Sequence, residues 1–288
     1  MLREAITKWS LLVATALILM MNSCAEKKKV NPEAQALLDR AKEVMNTDPA
    51  QAITLLDSLC KVYPGELTLV RESIYLTTLA QENFINAEIA TNDSIISADS
   101  VEYVRLKPQF VRVKEKDMVE AYYVHKSLKG NPLFARTGIE ARYYESSDLV
   151  VVSMLRGTKA NHTHLTVQCS AGSASTKDVP YDKSRNYRYN DDGTNTEMVT
   201  FHQEECEEFC QFFAENEKAK SMRVMFVGSG KQTMTVNDVL KHAIAETYRF
   251  AKAEQGGRDA VAKKIKLQKM KELNAQHKSR TAETLTKE

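Results

Sequence analysis

The sequence predicts an α+β protein: a helical hairpin plus a long helix, then an antiparallel sheet domain with two packed helices, then a basic C-terminal helix or tail. Three observations carry this. From Ala34 to about Ile96 apolar residues recur at three- and four-residue steps, the spacing of helices that bury one face. Beyond Lys114 the period falls to two, with Ile139, Ala141 and Tyr143 alternating with Glu140, Arg142 and Tyr144, as in a half-buried strand. Between two strand-like stretches, Cys206, Phe209, Cys210, Phe212 and Phe213 share one side of a segment whose other positions are rich in glutamate, the mark of an amphipathic helix.

The elements follow in order. Asn31-Pro32 opens a helix with a capping side chain and a proline at the first helical position, and Thr47-Asp48-Pro49 restarts the pattern. The two helices form a hairpin ending at Pro64-Gly65, expected to pack on a third helix from about Glu66, with Cys60 in its core. Asn92-Asp93-Ser94 leaves open whether that third element is one helix or two. Strands are expected around residues 139–143, 149–155, 165–169, 197–201 and 222–227. The 149–155 run is apolar on both faces, as in a central strand, and Asp191-Asp192-Gly193 is a turn. Thr235 and Asp238 read as a capping box for a helix to about Ala253, which Gln255-Gly256-Gly257 should end. The domain boundaries expected are 1–23, 24–30, 31–113, 114–255 and 256–288.

The first residues carry Arg3 and Lys8, an apolar run from Trp9 to Met21, then Asn22-Ser23-Cys24. A basic start, a short apolar core and a small residue before the cut describe an export signal. The run is shorter than the about 20 residues that span a bilayer. Its end resembles the lipobox of bacterial lipoproteins, although Met21 and Asn22 stand where that pattern carries a leucine-like and a small residue. The resemblance implies that Cys24 receives diacylglycerol, that residues 1–23 are removed, and that residues 24–30 tether the fold to a bilayer. By the rule of enteric lipoproteins, Ala25 in place of aspartate implies the outer membrane. Lys27-Lys28-Lys29 lacks the acidic run of surface export, so the expected address is its periplasmic face.

Residues 34–64, with Asp48-Pro49-x-x-Ala52 and Leu55-Leu56-Asp57-Ser58-Leu59 ahead of Tyr63-Pro64, resemble one tetratricopeptide-type hairpin, without a second copy. The whole layout, with Ala121-Tyr122-Tyr123-Val124, Thr137-Gly138-Ile139-x-Ala141, Asn161-His162-x-His164 and Glu197-x-Val199-x-Phe201, resembles uncharacterised cell-envelope lipoproteins of the Bacteroidetes. That family has no assigned chemistry, so the resemblance implies an address and a fold class.

The 40 basic and 38 acidic residues nearly cancel, which gives no electrostatic reason to bind nucleic acid. From Lys252 to the end, ten basic and five acidic residues make the tail basic, suited to anionic headgroups or simply to a solvated helix. Besides Cys24, Cys60, Cys169, Cys206 and Cys210 are expected as reduced, partly buried thiols, since cysteines four apart on a helix do not converge for a disulfide. His162 and His164, two apart on an expected strand, point the same way. They would ligate zinc if His202, Glu205, Cys206 or Cys210 completed the set; the alternative is an ordinary polar sheet face. Gly228-Ser229-Gly230-Lys231-Gln232-Thr233 departs from the phosphate-loop motif at Met225 and Gln232 and reads as a turn. Asp191 and Asp192 sit in a solvated turn, poorly placed for acid–base work, and no nucleophile elbow or His-Glu-x-x-His occurs. The expectation is a membrane-anchored, non-catalytic binding or structural protein that holds an envelope protein or polysaccharide and needs no cofactor. The alternative is a metal-dependent or hydrolytic enzyme using the His162/His164 face.

Overall fold

The computed structural model describes residues 30–286 except 115, 117, 131, 132 and 147. The signal segment, Cys24 and most of the tether lie outside the described residues. The fold is α+β as expected, and it divides into two compact units: residues up to Ile89 with those from Lys266 on, and Ala90–Ile265. Both dividing points fall within helices rather than at residues 113 and 255.

In the first unit, Asn31 caps α1 (Pro32–Val44) by accepting the N–H groups of Glu33 and Ala34 at 2.9 and 3.4 Å. Asp48 caps α2 (Pro49–Val62) through the N–H of Gln51 at 2.9 Å. Ala34, Leu38 and Ala41 of α1 meet Leu56 and Leu59 of α2 and Leu69 of α3 (Leu67–Leu106) in one apolar cluster. Cys60 is only partly buried and stands outside that cluster, because its helical position points between core and solvent. Helix α3 runs unbroken through Asn92-Asp93-Ser94, where Asn92 is buried. Farther along the chain, α5 (Asp238–Thr286) contributes Asn274, whose buried amide donates to the Thr78 carbonyl at 2.8 Å, and Lys278, paired with Glu82.

Among the described residues the second unit holds two antiparallel sheets, not one. The larger has the order β1 (Phe110–Val113), β2 (Tyr122–His125), β3 (Gly138–Tyr144), β4 (Leu149–Arg156), β8 (Thr194–Phe201) and β7 (Asn186–Asp191). The smaller has the order β10 (Lys231–Val236), β9 (Met222–Val227), β5 (His164–Cys169) and β6 (Gly172–Ser175). Strand β1 lies inside the 31–113 stretch expected to be helical; pairing of Phe110 with His125 and Val113 with Tyr122 overrides the local pattern. The expected two-sided burial of β4 is real. Leu149, Val151 and Leu155 enter the main core, while Val150, Val152 and Met154 are covered on the opposite face by Leu133.

Helix α4 (Gln203–Glu215) lies against β4 and β8 of one sheet and β5 and β6 of the other. Its Cys206, Phe209, Cys210 and Phe213 enter the core. Asp192 and Gly193, with φ of 45° and 81°, form the tight β7–β8 hairpin, where both central residues need positive φ. The Gly228–Gly230 stretch is indeed a turn, but β10 follows it rather than a helix. A Cβ on Gly228 would stand 2.1 Å from the Asn161 carbonyl oxygen, so glycine serves close backbone approach there.

The start of α5 corrects the expected capping box: Thr235 belongs to β10, and Asn237 caps the helix by accepting the Leu240 N–H at 2.8 Å. Nor does α5 stop at Gly256-Gly257. Two glycines cost about 1 kcal/mol each in a helix, which tertiary contacts override. At Gly256 a Cβ would come within 2.5 Å of the Asp99 carboxylate. The expected basic tail is therefore the continuation of this helix through Thr286. Among the described residues no helix is long and apolar enough to cross a membrane.

Candidate metal centre

The structure does not bring His162 and His164 together. His162 precedes β5, just after Asn161, whose φ of 49° turns the chain. It is therefore not in register with the strand, and the period-two argument does not reach it. Its ring is fully buried, with Nδ1 2.8 Å from Glu197 Oε2 and Nε2 2.8 Å from Ser153 Oγ. Both nitrogens are thus engaged. His164 is partly exposed and pairs with Asp178 at 3.0 Å.

The other expected ligands also lie elsewhere. His202 pairs with Asp148 at 2.5 Å, and Glu205 holds Arg185 at 2.8 Å. Cys206 and Cys210 are buried in the core, and all four described cysteines are free. The hydrogen bond with Cys210, then burial, push the Cys206 thiol well up, away from the thiolate a metal needs.

The Ser153–His162–Glu197 chain has the order of a catalytic relay but is sealed from solvent. Glu197 accepts the backbone N–H groups of Ala160, Asn161 and His162 at 2.7–2.9 Å as well as His162 Nδ1–H. Burial alone would raise its carboxyl pKa; these donors instead carry it down to about 2. The relay fastens the segment before β5 to β4 and β8.

A different triad gathers in the second unit. Helix α5 carries His242 and Glu246 four residues apart, on one face, and β2 ends in His125. Phe250, one turn farther along α5, stacks on Phe110 at 4.5 Å and meets the edge of Tyr143 at 5.5 Å. That aromatic packing sets α5 on β1–β3 and brings its histidine and glutamate to His125. One ligand atom from each of the three residues lies within 4.8 Å of the others. Glu246 Oε2 is 3.5 Å from His125 Nε2 and 3.7 Å from His242 Nε2. Two donors on a tetrahedral zinc at about 2.1 Å stand roughly 3.4 Å apart, so the two measured spacings fit a shared ion.

The remaining atoms of the triad are held from outside. Glu217, just past α4, accepts Nδ1–H of His242 at 2.5 Å and is itself clamped by Arg249 at 2.7 Å. A carboxylate only accepts, so a proton sits on Nδ1; Nε2, which faces Glu246, would hold an ion in its unprotonated form. Ser127 Oγ lies 2.8 Å from His125 Nδ1, which also accepts the Ser127 N–H at 3.3 Å; holding an ion on Nε2 would require the proton on Nδ1, donated to Ser127 Oγ. Arg105 reaches Glu246 Oε1 at 3.2 Å while Glu102 grips it through two bonds of 2.8 Å. Such outer partners orient metal ligands. Burial pushes the His125 pKa down against the pull of Glu246, which keeps the imidazole neutral, the form that binds metal. Burial would raise Glu217 too, but His242 and Arg249 together hold it low.

One atom stands out: His125 Nε2 is buried and lacks a well-formed hydrogen bond, its neighbouring acceptor being Glu246 Oε2 at 3.5 Å. An ion would satisfy it. The residues present therefore fit a divalent transition metal. The four-residue spacing of His242 and Glu246 on an expected helix was the visible signal, but nothing near them in the chain points to His125. No protein-family model, curated protein or solved structure matches the chain.

Proposed function

We propose that this chain is a lipid-anchored protein of the bacterial cell envelope whose sheet unit binds one divalent transition-metal ion, zinc foremost, through His125, His242 and Glu246. The observation that carries the metal reading is the convergence of His125 Nε2, buried and without a well-formed hydrogen bond, on a carboxylate and a second imidazole. Two imidazoles and one carboxylate favour zinc and its neighbours over magnesium or calcium. The Cys24 pattern supports the anchor, and the outer membrane's periplasmic face is its expected place. The test is elemental analysis of the full-length protein purified in detergent. About one zinc per chain is expected, lost in His242→Ala and kept in His164→Ala. Zinc that follows His164 rather than His242 refutes the assignment.

A second reading, that the protein holds an envelope polysaccharide, is favoured by Tyr187 and Tyr189. They stand side by side on the edge strand β7, exposed, with ring centroids 5.6 Å apart. Glycan-array binding lost in Tyr187→Ala would support it, and unchanged binding would remove it.

A further inference from the structure

We infer that the ion held by His125, His242 and Glu246 keeps a coordination position open to solvent and that this position takes a small exogenous anion, such as a carboxylate or hydroxamate. The inference rests on the metal reading and goes a step past it.

Ligand count, the direction of the vacant corner and charge point there. Zinc takes four donors in a closed structural site, and three protein donors plus water mark an open one. The triad supplies three among the described residues. The neighbouring carboxylates are committed to other partners: Glu217 to His242 Nδ1 and Arg249, Glu102 to Arg105, and the second oxygen of Glu246 to Arg105.

The side chains of His125 and Glu246 are 6% and 5% exposed, whereas that of His242 is 49% exposed. The protein thus encloses two ligands and leaves the third at the surface, so the vacant corner of the polyhedron lies on the His242 side.

A dication with one carboxylate ligand retains one positive charge. In the outer ring Arg105 and Arg249 are balanced by Glu102 and Glu217, which leaves that excess uncancelled. An anion entering the fourth position meets a net positive centre in a partly desolvated site, where its attraction exceeds that in bulk water.

The experiment uses the full-length protein in detergent, loaded with cobalt(II), whose visible bands report coordination. It is titrated separately with azide, acetate and acetohydroxamate. A saturable change in the bands with each anion, absent for free cobalt in the same buffer and absent in His242→Ala, is expected. If cobalt binds one per chain and is lost in His242→Ala, yet its bands ignore all three anions, the position is closed. The inference then fails while the metal reading stands. If wild-type protein takes up neither cobalt nor zinc, both fail together.

Discussion

Replacing Glu197 by glutamine tests the energetics of the sealed relay. In the folded chain the carboxylate collects three backbone N–H groups and His162 Nδ1–H, and its pKa falls from 4.5 to about 2. A depressed carboxyl pKa adds stability that is fully present above the unfolded value and is lost as pH falls toward the folded one. A fall of that size corresponds to about 3 kcal/mol. The assay is urea unfolding of full-length wild type and Glu197→Gln in mild detergent, followed by circular dichroism between pH 7 and pH 2. Titrating groups well away from residue 197 cancel in the difference between the two proteins, whereas His162, bonded to Glu197, belongs to the interaction being read. The wild type should be the more stable above about pH 5, and its advantage should shrink by about 3 kcal/mol by about pH 2. A gap that stays constant over that range would refute the reasoning.

Four further predictions can be checked together. Zinc at a hundredfold excess over its dissociation constant should stabilise the protein by about 2.7 kcal/mol, raising the thermal midpoint of the sheet unit by roughly 5–10 °C; His125→Ala should abolish the rise in a calorimetric scan. Gly228→Ala should destabilise by more than about 2 kcal/mol, since its Cβ meets backbone that cannot rotate away. By contrast Gly257→Ala should stabilise by up to about 1 kcal/mol, because a Cβ there makes only ordinary contact at 3.7 Å with Asp99 and helix propensity improves; urea midpoints read both. Labelled fatty acid fed to producing cells should enter the wild type and not Cys24→Ala, and equal labelling would remove the anchor from the account.

What the sequence disclosed was local. Asn31 and Asp48 are legible as caps because each acts on N–H groups two or three residues away. The strand at 149–155 is legible because its apolar residues are contiguous. Strands β6 and β10 escape notice because their residues are mostly polar and exposed, and pairing with β5 and β9 makes them strands. The division into two sheets depends on the same distant pairings. Gly256-Gly257 misleads because a local stop signal is outweighed by packing that no nearby residue announces. The candidate site divides in the same way. His242 and Glu246 share a helix face that spacing reveals, whereas His125 reaches them only through the stacking of Phe250 on Phe110. His162 and His164 have the right spacing for one strand face, but the turn at Asn161 leaves His162 outside β5, which begins at His164.

Whether an ion sits among His125, His242 and Glu246 decides the proposed function. Diffraction from zinc-grown crystals of the full-length protein, collected on both sides of the zinc absorption edge, tests it most directly. An anomalous peak about 2.0–2.2 Å from His125 Nε2, His242 Nε2 and Glu246 Oε2 is predicted. A zinc peak elsewhere, with His125 Nε2 bonded to water or directly to Glu246, would contradict it.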